Sequence, residues 1–192
     1  MVFANDTDAA LAAAVELANS ALEPDTLTTP ADLTRFFARH GYTGRHDGDA
    51  AELGEVRGIR ETLRALLLSD VDEAVDRINT LLWTYAAVPR LVRHDPVGWH
   101  IHASDDEAPL AHRMLVETSM AMIDVIRAGD LSRISMCADE TCAGIVLDLS
   151  RNRSRRYCST TCGNRNAVAA YRARRADDKA LGGTDGSVPP RA

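Results

Sequence analysis

Four cysteines fall within one short stretch of this 192-residue chain and none lies elsewhere: Cys137, Cys142, Cys158 and Cys162. Four residues separate the first two, fifteen separate the middle two, and three separate the last two. Two close pairs joined by a hairpin-length spacer suit a tetrahedral metal site, because each pair can span one edge of a tetrahedron with thiolates about 2.3 Å from zinc. The segment around them, from about residue 131 to 176, has few large apolar side chains. A fold that small usually needs a metal, disulfides or a partner. The opening residues lack a basic start and carry Asp6, Asp8 and Glu16 within their apolar stretch, unlike a secretory signal. No run approaches the roughly 18 apolar residues of a membrane span. The chain therefore reads as cytoplasmic, where thiols stay reduced and clustered cysteines serve as metal ligands more often than as disulfides. The expected cofactor is one structural Zn2+. Four thiolates would leave it no open position for water or substrate.

Charge divides the chain at the same place. Residues 1–130 carry 11 arginines, no lysine and 22 acids, a net of −11, whereas residues 131–192 carry 10 arginines, Lys179 and 6 acids, a net of +5. Such asymmetry points to two modules with different partners, one of them a polyanion. The expected division is an acidic helical domain over 1–130 for sensing or dimerisation, a metal-held module over 131–176, and a disordered Gly- and Pro-rich tail over 177–192.

The acidic part has mostly helical periodicity. "DAALAAAVELANSAL" repeats apolar residues at helical spacing, and "TTPADLTRFFARHG" offers Thr29 as cap, Pro30 at the first helical position and Gly41 as stop. Leu53, Val56, Ile59, Leu63, Leu66 and Leu67 form one stripe, and a second helix starts near Val71 after the "SD" cap. "VPRLVRHDPVGWHIHAS" changes period and reads as a β-hairpin turning at "HDPVG". Helical spacing returns over 108–127. Within the last module, "ISMC" and "AGIVLDLSRN" are candidate hairpin strands. A helix follows Cys158, with Ser159 or Thr160 as cap and Cys162 in its first turn.

Between Arg151 and Arg175 there are eight arginines and no acid. Two would balance a zinc tetrathiolate, so a surplus must face solvent or an anion. On the expected helix Arg165, Val168, Arg172 and Arg175 share one face, with Cys162, Ala169 and Ala173 toward the hairpin side. Arg151, Arg153, Arg155 and Arg156 on the preceding loop would extend that basic face, and Asn164 joins it. Guanidinium forks suit phosphate and guanine edges, and duplex DNA is the expected partner. Tyr157 and Tyr171 read as packing residues, and the scarcity of stacking aromatics weighs against single-stranded RNA. The alternatives are a zinc-stabilised module that docks an acidic protein, or RNA binding.

In the acidic part, His100 and His102 would share a strand face, where with His94 or His112 they could ligate a metal or a small anion. No glycine-rich phosphate loop or nucleophile motif is present, so no enzymatic activity is expected.

The run "CADETCAGIVLDLSRNRSRRYCSTTCGNR" resembles the CGNR zinc finger, whose tetrapeptide is Cys162, Gly163, Asn164 and Arg165 here. "AAVELANSALEPDTLTTPADLTRFFARHG" and "VRGIRETLRALL" resemble the ABATE domain that precedes it. The resemblance implies a bacterial DNA-binding transcription regulator with Cys137, Cys142, Cys158 and Cys162 at the metal-ligand positions. Where many members carry a lysine two places after the motif arginine, this chain has Ala167. The expected fold is mainly α with a small β-hairpin: a helical N-terminal domain followed by a ββα, treble-clef-like finger. A homodimer and a small-molecule effector on the N-terminal domain are further candidate partners.

Overall fold

One long helix, α6 (Leu110–Arg127), is buried on nearly every side and organises the rest. Its sequence, "LAHRMLVETSMAMIDVIR", carries Leu110, Met114, Leu115, Val116, Met122 and Val125 around its circumference, and a helix apolar over so wide an arc must lie inside the molecule. Thr118 and Ser119 are buried with it because each hydroxyl donates to the carbonyl four residues back, on Met114 and Leu115. The computed structural model describes residues 3–94 and 98–181, apart from the side chains of residues 5, 94 and 177–181. Residues 95–97 of the expected turn and residues 182–192 of the expected tail lie outside it.

Around α6 pack α1 (Asn5–Asn19), α3 (Ala50–Gly58), α4 (Arg60–Leu68) and α5 (Val71–Thr84), while α2 (Pro30–Arg39) leans on α3. The start of α2 follows its local signals. The Thr29 hydroxyl accepts from the Asp32 amide, the Asp32 carboxylate accepts from the Thr29 amide, Pro30 follows the cap, and Gly41 leaves the end at a φ of 67°. The stripe from Leu53 to Leu67 is buried except for the half-buried Ile59, but its helix is interrupted. Gly58 closes α3 and Ile59 adopts a φ/ψ of −87°/−5°, so a weak helix former divides one expected helix into two. Asp70 caps α5 by accepting from the Glu73 amide. That helix ends in a Schellman turn, with the Ala86 amide donating to Trp83 and the Ala87 amide to Leu82. Ala86 holds the left-handed position, at a φ of 48°, where glycine is usual.

Two antiparallel hairpins complete the fold. The first joins β1 (Arg90–His94) to β2 (Gly98–His102), with Val92 opposite His100 and Leu91 opposite Ile101. After a 3-10 turn at Leu131–Arg133, the second joins β3 (Ile134–Met136) to β4 (Ile145–Leu147). All three residues of β4 are buried, because the strand separates two apolar regions. Ile145 and Leu147, with Ile134 from β3, belong to the core built by α1, α4 and α6. Val146 faces the other way, onto Cys137 and Cys162. The small module thus shares a wall with the large one. Asn19, the last residue of α1, fixes that wall by accepting from the Ile145 amide at 2.7 Å and donating to its carbonyl at 2.8 Å. The last helix, α7 (Thr160–Leu181), runs five residues into the segment expected to be a disordered tail.

Candidate metal centre

The four sulfurs converge. All lie within 4.8 Å of one another, with Cys142 and Cys158 at 3.5 Å and Cys158 and Cys162 at 3.8 Å. A tetrahedron with zinc–sulfur bonds of about 2.3 Å has edges of about 3.8 Å, so the four cysteines are positioned to hold one zinc ion. Cys137 and Cys162 are buried and the other two half-buried, and four thiolate ligands with no open position fit a structural rather than a catalytic ion.

Local backbone bonds build each pair. The Cys137 amide donates to the Gly144 carbonyl at 2.8 Å, folding the first pair into a knuckle at the open end of the β3–β4 hairpin. Inside the knuckle the Asp139 carboxylate accepts from the amide and the hydroxyl of Thr141, at 3.0 and 2.7 Å. Those bonds hold the Asp139 carboxyl below its ordinary range. The second pair is set by a helix start: the Ser159 hydroxyl accepts from the Cys162 amide at 3.2 Å, which places Cys162 in the first turn of α7. Amides also point at sulfur, from Cys158 to Cys137 at 3.4 Å and from Gly144 to Cys142 at 3.3 Å. Such donors stabilise a thiolate. Burial pushes the Cys158 thiol well above its usual range, and the sulfurs of Cys142 and Cys137 add to that push. The proton it keeps must leave when a cation is bound.

Several supporting residues escaped the sequence reading. Gly144 packs so tightly on the cluster that a Cβ would stand 2.7 Å from the Cys158 sulfur and 3.2 Å from that of Cys142. A glycine two places after a cysteine is the signal that could have found it. Asp139 and Thr141 are an Asx-type turn, readable in principle from "ADETC". Asn19 gave no signal, because its partner lies 126 residues away.

The basic residues divide by role. Arg165 is 52% exposed but reaches back along the surface, its guanidinium 3.0 Å from the Asp139 carboxylate and 2.5 Å from the Thr141 hydroxyl, and so ties α7 to the knuckle. Arg153 has a φ of 49° and pairs with Asp130 at 2.6 Å. Arg155 bends back toward the carbonyls of Tyr157 and Cys158. Arg151 and Arg156 on the loop, with Asn164, Arg172, Arg174 and Arg175 on α7, are exposed. Arg174 belongs with them although the sequence reading did not single it out. From Ala167 to Ala176 every residue is exposed, so Ala169 and Ala173 do not face the hairpin as expected: α7 leaves the module beyond Asn166. Tyr157 packs against the cysteines, whereas Tyr171 is 54% exposed beneath the Arg175 guanidinium.

Of the histidines weighed for a second site, the side chain of His94 lies outside the described residues, and His112 stands apart from His100 and His102. His112 stacks on Tyr85 with ring centroids 4.5 Å apart, while His100 and His102 meet each other on β2. Among the described residues the four cysteines are the one cluster of three or more side chains able to hold a metal, and no helix is long and apolar enough to cross a membrane.

Comparison with known proteins agrees with this geometry. The CGNR zinc finger model matches residues 133–175, from the buried Arg133 through the whole cysteine cluster into α7. The ABATE model, described as "Putative stress-induced transcription regulator", matches residues 11–129, which is more than half of the chain. No curated protein matches the chain. Both families are regulatory or zinc-binding rather than enzymatic. With its helical module built around α6 and its cysteines gathered behind that module, the chain belongs to the ABATE family and ends in a CGNR zinc finger.

Proposed function

We propose that this regulatory zinc-binding protein acts in the cytoplasm by binding duplex DNA through the outer part of α7, with Cys137, Cys142, Cys158 and Cys162 as the ligands of its zinc. The observation that carries the reading is the bare helix: every residue from Ala167 to Ala176 is exposed, Arg172, Arg174 and Arg175 among them. An α-helix left without a protein partner and rich in arginine fits a major groove about 12 Å wide. From Ala167 to Leu181 it extends about 22 Å, enough to track across a groove. Zinc would supply no chemistry beyond clamping the knuckle to the start of that helix. Arg165 completes the clamp and sets the angle at which α7 leaves. Arg151 and Arg156 on the loop flank the same end and would meet backbone phosphates, which position without reading sequence. Arg172 and Arg175 share a helix face with Val168 and Tyr171, while Arg174 lies on another.

Binding of zinc-loaded protein to duplex fragments, measured across a salt series, tests the reading. Contact with four to six phosphates gives a slope of log K against log salt of about −3.6 to −5.4. Arg172→Ala with Arg175→Ala is expected to weaken binding at every sequence while zinc content stays at one per chain. Because Val168 and Tyr171 are 48% and 54% exposed on the same face, an acidic protein partner is the second reading. Failure to bind any duplex at low salt would leave that one in place of the first. Selection of bound duplexes from a random pool would also address oligomeric state, since a homodimer would return a two-fold symmetric site.

A further inference from the structure

The hairpin β1–β2 lies outside the zinc finger, and one of its faces carries a histidine pair that the reading above does not use. Register places His100 opposite Val92 and His102 opposite Arg90, two residues apart on one strand and so on one face, while Trp99 and Ile101 stand exposed on the other. The two imidazoles meet through their Nε2 atoms at 3.0 Å, with ring planes tilted by 58°.

What the far nitrogens contact decides what lies between the near ones. Nδ1 of His100 is 3.0 Å from the Gly98 carbonyl oxygen, which can only accept, so that nitrogen carries the hydrogen. Nδ1 of His102 faces the Asp106 carboxylate at 3.4 Å, which favours a hydrogen there as well. A neutral imidazole has one N–H. With both placed on the Nδ1 side, each ring presents a lone pair to the other across 3.0 Å, an arrangement that repels unless a cation joins it.

We propose that His100 and His102 form a two-nitrogen site for a divalent transition ion, zinc or a near neighbour of it. Two ring nitrogens bound about 2.05 Å from one ion lie about 2.9 Å apart at a right angle and about 3.3 Å apart at the tetrahedral angle, and the observed 3.0 Å falls between. Imidazole is a ligand type that zinc, copper and nickel share. The outer contacts match those of metal-bound histidine, whose second nitrogen is given to a carboxylate or a backbone carbonyl; here one ring has each. His102 is only 16% exposed, so the pair is preset rather than gathered from mobile side chains. Among the described residues the pair offers two ligand nitrogens, fewer than the four sulfurs of the finger.

The test titrates zinc chloride, by calorimetry at neutral pH, into full-length protein that already holds one zinc by elemental analysis. A second equivalent is expected to bind with micromolar affinity. The double variant His100→Gln, His102→Gln is expected to lose it while keeping the first zinc and the far-ultraviolet circular dichroism of the parent. Asp106→Asn, which spares both ring nitrogens, is expected to weaken the second equivalent about tenfold. Absence of any second equivalent from the parent protein, leaving a shared proton as the occupant between the rings, would overturn the proposal. So would a second equivalent that persists in the double variant.

Discussion

Gly144 has room for a hydrogen and nothing larger. Its place against the sulfurs of Cys158 and Cys142 makes it part of the metal site although it offers no ligand atom. Gly144→Ala is expected to lower zinc affinity about 10- to 100-fold, the range found when a group that supports metal ligands is altered, and competition with a chromophoric chelator would measure it. A second residue-scale prediction concerns Glu117, one turn beyond the buried Arg113 on α6. Burial raises its carboxyl from an ordinary 4.5 to about 7, Arg113 opposes the rise and Asp106 adds to it. The folded chain therefore holds this proton more tightly than the unfolded chain does. Its contribution is fully present below about 4.5, declines as pH rises toward 7, and is lost above that. Glu117→Gln, which keeps the neutral form at every pH, is expected to raise the urea midpoint at pH 8 and to leave it nearly unchanged at pH 4. Equal effects at the two values would show that burial of the charge is not what matters there.

Among the elements, the cysteine spacing and the cap of α2 were legible in advance because each depends on residues a few places apart. Thr29, Pro30 and Gly41 act where they stand, and two close cysteine pairs need only a hairpin between them. The break between α3 and α4 was less legible, since an unbroken stripe of apolar residues outweighed one glycine in the reading and Ile59 yielded in the structure. The pairing of Arg165 with Asp139 was illegible for another reason: helical spacing places a residue on a face, but whether that face meets an aspartate depends on how the helix docks. The same holds for Asn19, whose amide serves β4 as a neighbouring strand would. Asn19→Ala removes both bonds to Ile145 and is expected to cost about 1–3 kcal/mol in urea-induced unfolding. Because β4 also lines the cysteine cluster, the variant should release zinc to a chelator faster than the parent, although it lies far from the ligands in sequence.

At the scale of the whole molecule, the sharing of β4 decides how the two modules answer to metal. If their cores were separate, chelation would unfold the finger and spare the helices around α6. With Ile134, Ile145 and Leu147 in the same buried cluster as α1 and α4, removal of zinc is expected to lower the thermal midpoint of the whole chain and to keep a single transition. Calorimetry of loaded and chelated protein would show it, and two resolved transitions would contradict it. Cys158→Ser should behave as the chelated parent does. Charge is weighted differently across that shared wall: 22 of the 28 acids precede residue 131, whereas Arg172, Arg174 and Arg175 stand exposed on a helix that leaves it. Nor is that wall a seam along which the protein could be cut or grafted. A fragment ending at Asp130 would bare the apolar faces of α1 and α4 that Ile134, Ile145 and Leu147 cover, and the finger moved onto a foreign carrier would take along a strand clad for burial on both sides.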